Sequence, residues 1–131
     1  MSKDVFQLEL KVRDYECDMQ GIVNNAVYLN YLEHARHEFL LSRGASFSDL
    51  TNRGVIIVVA KAEIDYRRSL HSGEDFVVSV SAHRPSKVRL VFEQEICCLL
   101  DQEPILNARI TATAVNEKGR PYFPSELETL L

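Results

Sequence analysis

Apolar and polar residues alternate near the start of the chain, where Phe6, Leu8, Leu10 and Val12 are separated by Gln7, Glu9 and Lys11. A period of two predicts a β-strand with one buried face. The alternation stops at the polar stretch Asp14-Tyr15-Glu16-Cys17-Asp18-Met19-Gln20-Gly21, whose terminal glycine frees the backbone to turn. From about residue 24 the period lengthens. Tyr28, Leu32, Ala35 and Phe39 are spaced four, three and four apart, with Tyr31 beside them. This stripe predicts an amphipathic helix over roughly 25–42. Asn24 is its expected N-cap and Gly44 its expected stop, and Glu33, Arg36, His37 and Glu38 are assigned mostly to its polar side.

After a polar link, four β-rich segments are expected. Residues 55–66 open with six apolar residues in a row, which predicts burial on both faces. Leu70-His71-Ser72-Gly73 reads as a turn, and residues 75–83 place Phe76, Val78, Val80 and Ala82 on one face. Arg84-Pro85-Ser86 and Asp101-Gln102-Glu103-Pro104 punctuate the segments 87–100 and 105–116, and residues 125–130 are a candidate last short helix. Short turns favour antiparallel pairing among these four strands. The order β-α-β-β-β-β is then most simply satisfied by an α+β fold, one long central helix wrapped by a curved antiparallel sheet. The far side of such a helix also needs covering, so a dimer is expected.

Composition narrows the function. A length of 131 residues predicts one domain over 1–131. Fifteen Lys and Arg against nineteen Asp and Glu give a net charge of −4, and the basic residues are scattered, which argues against nucleic-acid binding. Local cations remain at Arg67, Arg68, Lys87 and Arg89. The three cysteines, Cys17, Cys97 and Cys98, are odd in number and make no disulfide framework, so reduced thiols are expected. The first residues lack the apolar core of a signal segment. The longest apolar run, 55–60, falls far short of the ~20 residues of a membrane span. A cytoplasmic protein with no membrane span is expected.

The candidate chemistry lies where the polar loop meets the helix. The first N–H groups of a helix have no intrahelical partners and sit at the positive end of its dipole, where they can polarise a carbonyl. Asp18 precedes that end by six or seven residues, with Gly21 between. On spacing alone Asp18 is either a turn or helix cap, or a general base or nucleophile toward the polarised carbonyl. His34 and His37 are three apart but belong to no HExxH or doubled Glu-x-x-His pattern, and neither GxxxxGK[ST] nor GxGxxG occurs, so no metal and no cofactor is expected.

Residues 12–40 read VRDYECDMQGIVNNAVYLNYLEHARHEFL. This resembles the hotdog-fold acyl thioesterases of the 4-hydroxybenzoyl-CoA thioesterase type. The likeness rests on Asp18, Gly21, Ile22, Val23, Tyr28 and the Glu33-His34-Ala35-Arg36 step. The wording VRDYE…GIVNNAVY is similar above all to the plant acyl-lipid (methylketone-synthase-type) thioesterases and their bacterial relatives. The resemblance implies a hotdog fold, dimeric or tetrameric. It places the catalytic carboxylate on Asp18 and the carbonyl-polarising N–H near Asn25. Several short-chain relatives carry His where this chain has Asn25; an amide takes up no proton near neutral pH, so the base or nucleophile role falls to Asp18.

The resemblance thus implies hydrolysis of a fatty acyl thioester of CoA or of acyl carrier protein. Gly21, Val23, Asn24, Tyr28 and Leu32 are expected to border the acyl group, with core filling the alternative or additional role of Tyr28 and Leu32. Arg67, Arg68 or Lys87 are expected to meet phosphates of the thiol carrier, with a partner chain completing the site. Two alternatives stand beside it, a non-catalytic acyl-thioester binding module and an acyl-thioester hydratase or dehydratase. The latter usually relies on a His with a carboxylate, and no suitable His precedes this helix.

Overall fold

The computed structural model describes residues 5–131; residues 1–4, where no signal segment was expected, lie outside the described residues. Strand β1 (Phe6–Lys11) alternates half-buried and exposed side chains, as its period dictates. Helix α1 (Asn25–Ser42) matches the apolar stripe. A short helix α2 (Phe47–Asn52) replaces the first part of the expected polar link, its start capped by Ser46 Oγ, which accepts the Asp49 N–H at 3.0 Å. Strands β2 (Ile56–Tyr66), β3 (Asp75–His83), β4 (Leu90–Cys98) and β5 (Pro104–Val115) follow. A two-residue β6 (Pro121–Tyr122) pairs with the end of β5, and a 3-10 turn covers Ser125–Leu130.

The strands form one antiparallel sheet in the order β1-β3-β4-β5-β2. The β3–β4 and β4–β5 connections are the expected short hairpins. The β2–β3 connection is not: β2 pairs with β5 and β3 with β1, so residues 67–74 carry the chain across the sheet. That crossing is anchored by Leu70, which is fully buried.

Helix α1 lies over the β1–β3–β4 side of the sheet. Phe39 packs against Phe6 of β1 and Phe92 of β4, and Tyr31 against Phe76 of β3. Leu32, Ala35, Phe39, Leu40, Phe76, Val78, Val80 and Ile96 are all fully buried, and each large apolar side chain so removed from water contributes about 1.5–3 kcal/mol. Two expectations are corrected here. Strand β2 is not buried on both faces; as an edge strand beyond the reach of most of α1, it leaves Ile56 47% and Val59 53% exposed. Arg36 is not on the polar side; it is only 9% exposed and donates to Gln94 Oε1 on β4 at 3.0 Å. The three cysteines are free, Cys98 buried and Cys17 and Cys97 half-buried. Among the described residues no helix is long and apolar enough to cross a membrane.

Candidate active site

Between β1 and α1 the chain makes a 3-10 turn at Asp14–Glu16 and then a narrow antiparallel ribbon. Cys17 lies opposite Val23, the Asp18 N–H donates to Ile22 O at 2.9 Å, and the Gly21 N–H donates to Asp18 O at 3.0 Å. Gly21 adopts φ +79°, a left-handed conformation costly for residues with a Cβ. Asp18 is exposed at the ribbon's tip, and its Oδ1 accepts the Gln20 N–H at 2.8 Å. The turn-capping reading of Asp18 is therefore realised, but by one oxygen only. Its Oδ2 has no protein donor among the described residues.

The helix start is built as the sequence suggests. Asn24 has extended backbone, and its Oδ1 accepts the Ala26 N–H at 3.1 Å. The Asn24 carbonyl takes the Val27 N–H at 2.9 Å. The Asn25 N–H is left without an acceptor among the described residues, at the positive end of an 18-residue helix. Ribbon and helix are tied to the crossing segment: the Val23 N–H donates to Leu70 O at 2.9 Å, the Leu70 N–H donates to the Tyr28 phenol oxygen at 3.0 Å, and Ile22 bridges to His71. Burial pushes the Tyr28 phenol above its ordinary pKa, so it stays protonated near neutral pH.

These elements border a cleft of about 220 Å³ lined by Val23, Asn25, Tyr28, Tyr66, Arg67 and Arg68 among others. Ile22 also lines it, and through Ile22 the ribbon tip with Asp18 and Gly21 adjoins it. The two arginines differ. Arg68 is held by Asp101 at 3.0 Å, whereas the Arg67 guanidinium has no ion pair among the described residues. Asp101 is pushed below the usual carboxylate range by the Glu103 N–H and by Arg68.

Two of the expected binding residues fall elsewhere in this chain. Leu32 is fully buried and fills the core beneath α1. Lys87 is exposed in the β3–β4 turn, at the far end of a nine-residue strand and so ~30 Å from the start of β3. An antiparallel hairpin must put its turn there, so one chain does not unite Lys87 with Arg67. A larger groove of about 520 Å³ crosses the outer face of the sheet, past Glu63, Asp65, Glu93 and Arg109. It is open and acidic and has no helix terminus, so the smaller cleft is the better candidate. On α1, His37 lies 3.7 Å from Glu33 and packs on Phe47. Among the described residues no three His, Cys, Asp or Glu side chains gather as a metal site. Tyr66 and Leu70 are not among the site residues expected from the sequence, because their roles here depend on the crossing segment, which no local period reveals.

A family model described as "Thioesterase-like superfamily" matches residues 12–130. Two relatives from Arabidopsis thaliana are named acyl-acyl carrier protein thioesterases, both chloroplastic. ATL2 is 45% identical over 115 residues, covering 88% of this chain and 61% of that protein. ATL3 is 40% identical over 124 residues, covering 94% and 65%. The chain thus spans less than two-thirds of either plant protein. Among solved structures, a 1,4-dihydroxy-2-naphthoyl-CoA thioesterase from Synechocystis superposes with a TM-score of 0.91, covering 96% of this chain and 94% of that one at 19% identity. At that identity the likeness is one of fold.

Proposed function

Because the chain belongs to the thioesterase-like superfamily and has its hotdog fold, we propose that it hydrolyses acyl thioesters to a free acid and a thiol. The observation that carries this reading is the pairing of an exposed carboxylate oxygen on Asp18 with an open N–H at Asn25, beside one cleft. The thioester carbonyl accepts the Asn25 N–H, which stabilises negative charge as it develops on that oxygen. Asp18 either takes a proton from a water that attacks the carbonyl carbon, or attacks that carbon itself to form a mixed anhydride which water then opens. In both routes the carbon–sulfur bond breaks and the thiolate leaves with its electron pair, so no strong acid is needed.

The substrate is a fatty acyl thioester. Val23 and Tyr28 border its acyl group at the cleft, with Gly21 and Asn24 shaping the approach. The thiol arm is that of CoA or acyl carrier protein; the names of the plant relatives support the carrier protein. Arg67 is the cation best placed for a phosphate of that arm, since Arg68 is already engaged by Asp101. We assign the protein to the cytoplasm and to fatty acid metabolism. It acts as a homodimer or homotetramer, a reading supported by the unpaired, apolar edge of β2.

The test is thiol release from panels of acyl-CoA and acyl-carrier-protein substrates. Turnover of fatty acyl thioesters on either carrier is expected. Hydrolysis of neither would overturn the proposal.

A further inference from the structure

Glu16 is a carboxylate only 8% exposed. Desolvating such a group is costly unless donors surround it. Three do. Its Oε1 accepts the Arg13 N–H at 2.8 Å and the Tyr31 hydroxyl at 2.7 Å, and its Oε2 accepts the Arg13 guanidinium at 3.1 Å. The Glu16 carbonyl in turn accepts the Asn24 N–H at 3.0 Å. One residue therefore joins the start of the loop, the helix N-cap and the second turn of α1. It is also the root of the ribbon whose tip carries Asp18.

We propose that Glu16, through its buried hydrogen bond to Tyr31, is the positioning residue that sets where Asp18 stands relative to the start of α1. The proposal rests on the thioesterase reading for its catalytic consequence, not for its geometry. Asp18 makes one side-chain hydrogen bond among the described residues, to Gln20 within the same turn. Its place is consequently dictated by the ribbon's root and by the rungs to Leu70 and His71. Tyr31 anchors that root to the core, because its ring packs at 4.7 Å on the fully buried Phe76 of β3. Burial, and then the bond to Glu16, push the Tyr31 phenol far above its ordinary pKa, so it remains a donor throughout the working pH range.

The leverage is geometric. Asp18 lies two residues beyond Glu16, ~7 Å of extended chain, so a rotation of ~10° at the root moves it by ~1 Å. A misplacement of that size can cost ~100-fold in rate.

Tyr31→Phe is the informative variant, since it keeps the ring on Phe76 and removes only the hydroxyl. It is expected to lower kcat on an acyl-CoA substrate by about 10- to 100-fold with KM within about twofold. Glu16→Gln keeps an acceptor oxygen for Tyr31 and Arg13 and should recover most of the kcat lost on removing the acceptor with Glu16→Ala. In an Asp18→Asn background the Tyr31→Phe change should alter residual kcat by less than about twofold, because it acts through Asp18. A second readout needs no turnover. Amide hydrogen exchange at Asp18 and Gly21 should quicken in Tyr31→Phe while the C-terminal half of α1 is unchanged. Unchanged exchange at the ribbon, or a kcat within about twofold of the parent protein, would overturn the proposal. A parent protein that hydrolyses no thioester, with ribbon exchange responding as expected, would overturn the thioesterase reading alone.

Discussion

Arg36 and Gln94 clasp one another beneath α1: the guanidinium donates to Gln94 Oε1 at 3.0 Å while Gln94 Nε2 donates to the Leu32 carbonyl at 3.0 Å. The helix is thereby pinned to the centre of β4 by one of the few buried polar contacts of a mostly apolar core. Burial holds the Arg36 pKa below its ordinary value, a sign of how much this cation has given up in hydration. Gln94→Leu removes the one side-chain acceptor of Arg36 among the described residues and is expected to cost about 2–3 kcal/mol in urea unfolding. The double change Gln94→Leu with Arg36→Met should cost less than Gln94→Leu alone, because it leaves no buried charge without an acceptor.

Asp18→Asn separates chemistry from structure. Asparagine keeps the Oδ1 that accepts the Gln20 N–H, so unfolding free energy should change by less than about 0.5 kcal/mol. The ionised oxygen is lost, and kcat for thiol release should fall about 100-fold or more. Undiminished turnover in this variant would remove Asp18 from the mechanism.

Gly21 is needed for its backbone rather than for space. A Cβ added there would meet nothing within 4 Å, but φ is +79°. Gly21→Ala is therefore expected to cost about 1–2 kcal/mol, and Gly21→Asn less, since asparagine tolerates this region better. Denaturant midpoints of the two variants provide the comparison.

His37 couples the helix to pH. Burial lowers its pKa, aided by Arg36 and His34 and opposed by Glu33. In the unfolded chain the imidazole takes its proton near its ordinary 6.5, and in the folded protein only at lower pH. The unfolded state thus binds more protons in that window. Its contribution to stability is fully present above pH ~6.5 and is lost as pH falls through the folded pKa. Melting curves between pH 5 and 7 should therefore show a slope that His37→Gln flattens.

The free edge of β2 predicts association. Val58 and Val59 are both at least 40% exposed on a strand with one neighbour, an arrangement prone to pairing with another strand. Lysine at both positions would set like charges against each other across a symmetric contact. Sedimentation velocity should show the parent protein as a dimer or larger and this variant shifted toward monomer. An unassociated parent protein would refute the expectation.

Local periodicity made most of the elements legible. The stripe from Tyr28 to Phe39, with Asn24 and Gly44 at its flanks, predicts a helix over roughly 25–42, which agrees with α1, and the alternation in β3 identifies its inward face. The errors share one cause. The six consecutive apolar residues 55–60, five of them in β2, look like a doubly buried strand, yet exposure depends on the number of neighbours a strand has, which the segment itself does not encode. Arg36 follows the same logic: its place on the helix is periodic, but its burial was decided by Gln94, 58 residues away. The turn at Asp18–Gly21 and the cap at Asn24 are readable because turn and cap chemistry is local, whereas the catalytic roles of Asp18 and Asn25 rest on the family resemblance. Lys87 was grouped with Arg67 because both are basic, and only strand direction separates them.

By itself the sequence determined what short-range physics controls: a turn at Gly21, a capped helix from Asn25, strands with one apolar face, and a carboxylate shortly before a helix terminus. Tertiary structure alone decided which of these meet. Sheet order put β2 at an edge and sent residues 67–74 across to the helix start, where Leu70 bonds Val23 and Tyr28. Packing buried Glu16 against Tyr31 and left one oxygen of Asp18 open. Such outcomes follow from contacts between residues distant in the chain, whose loop-closure cost and mutual desolvation are settled only when the whole core assembles.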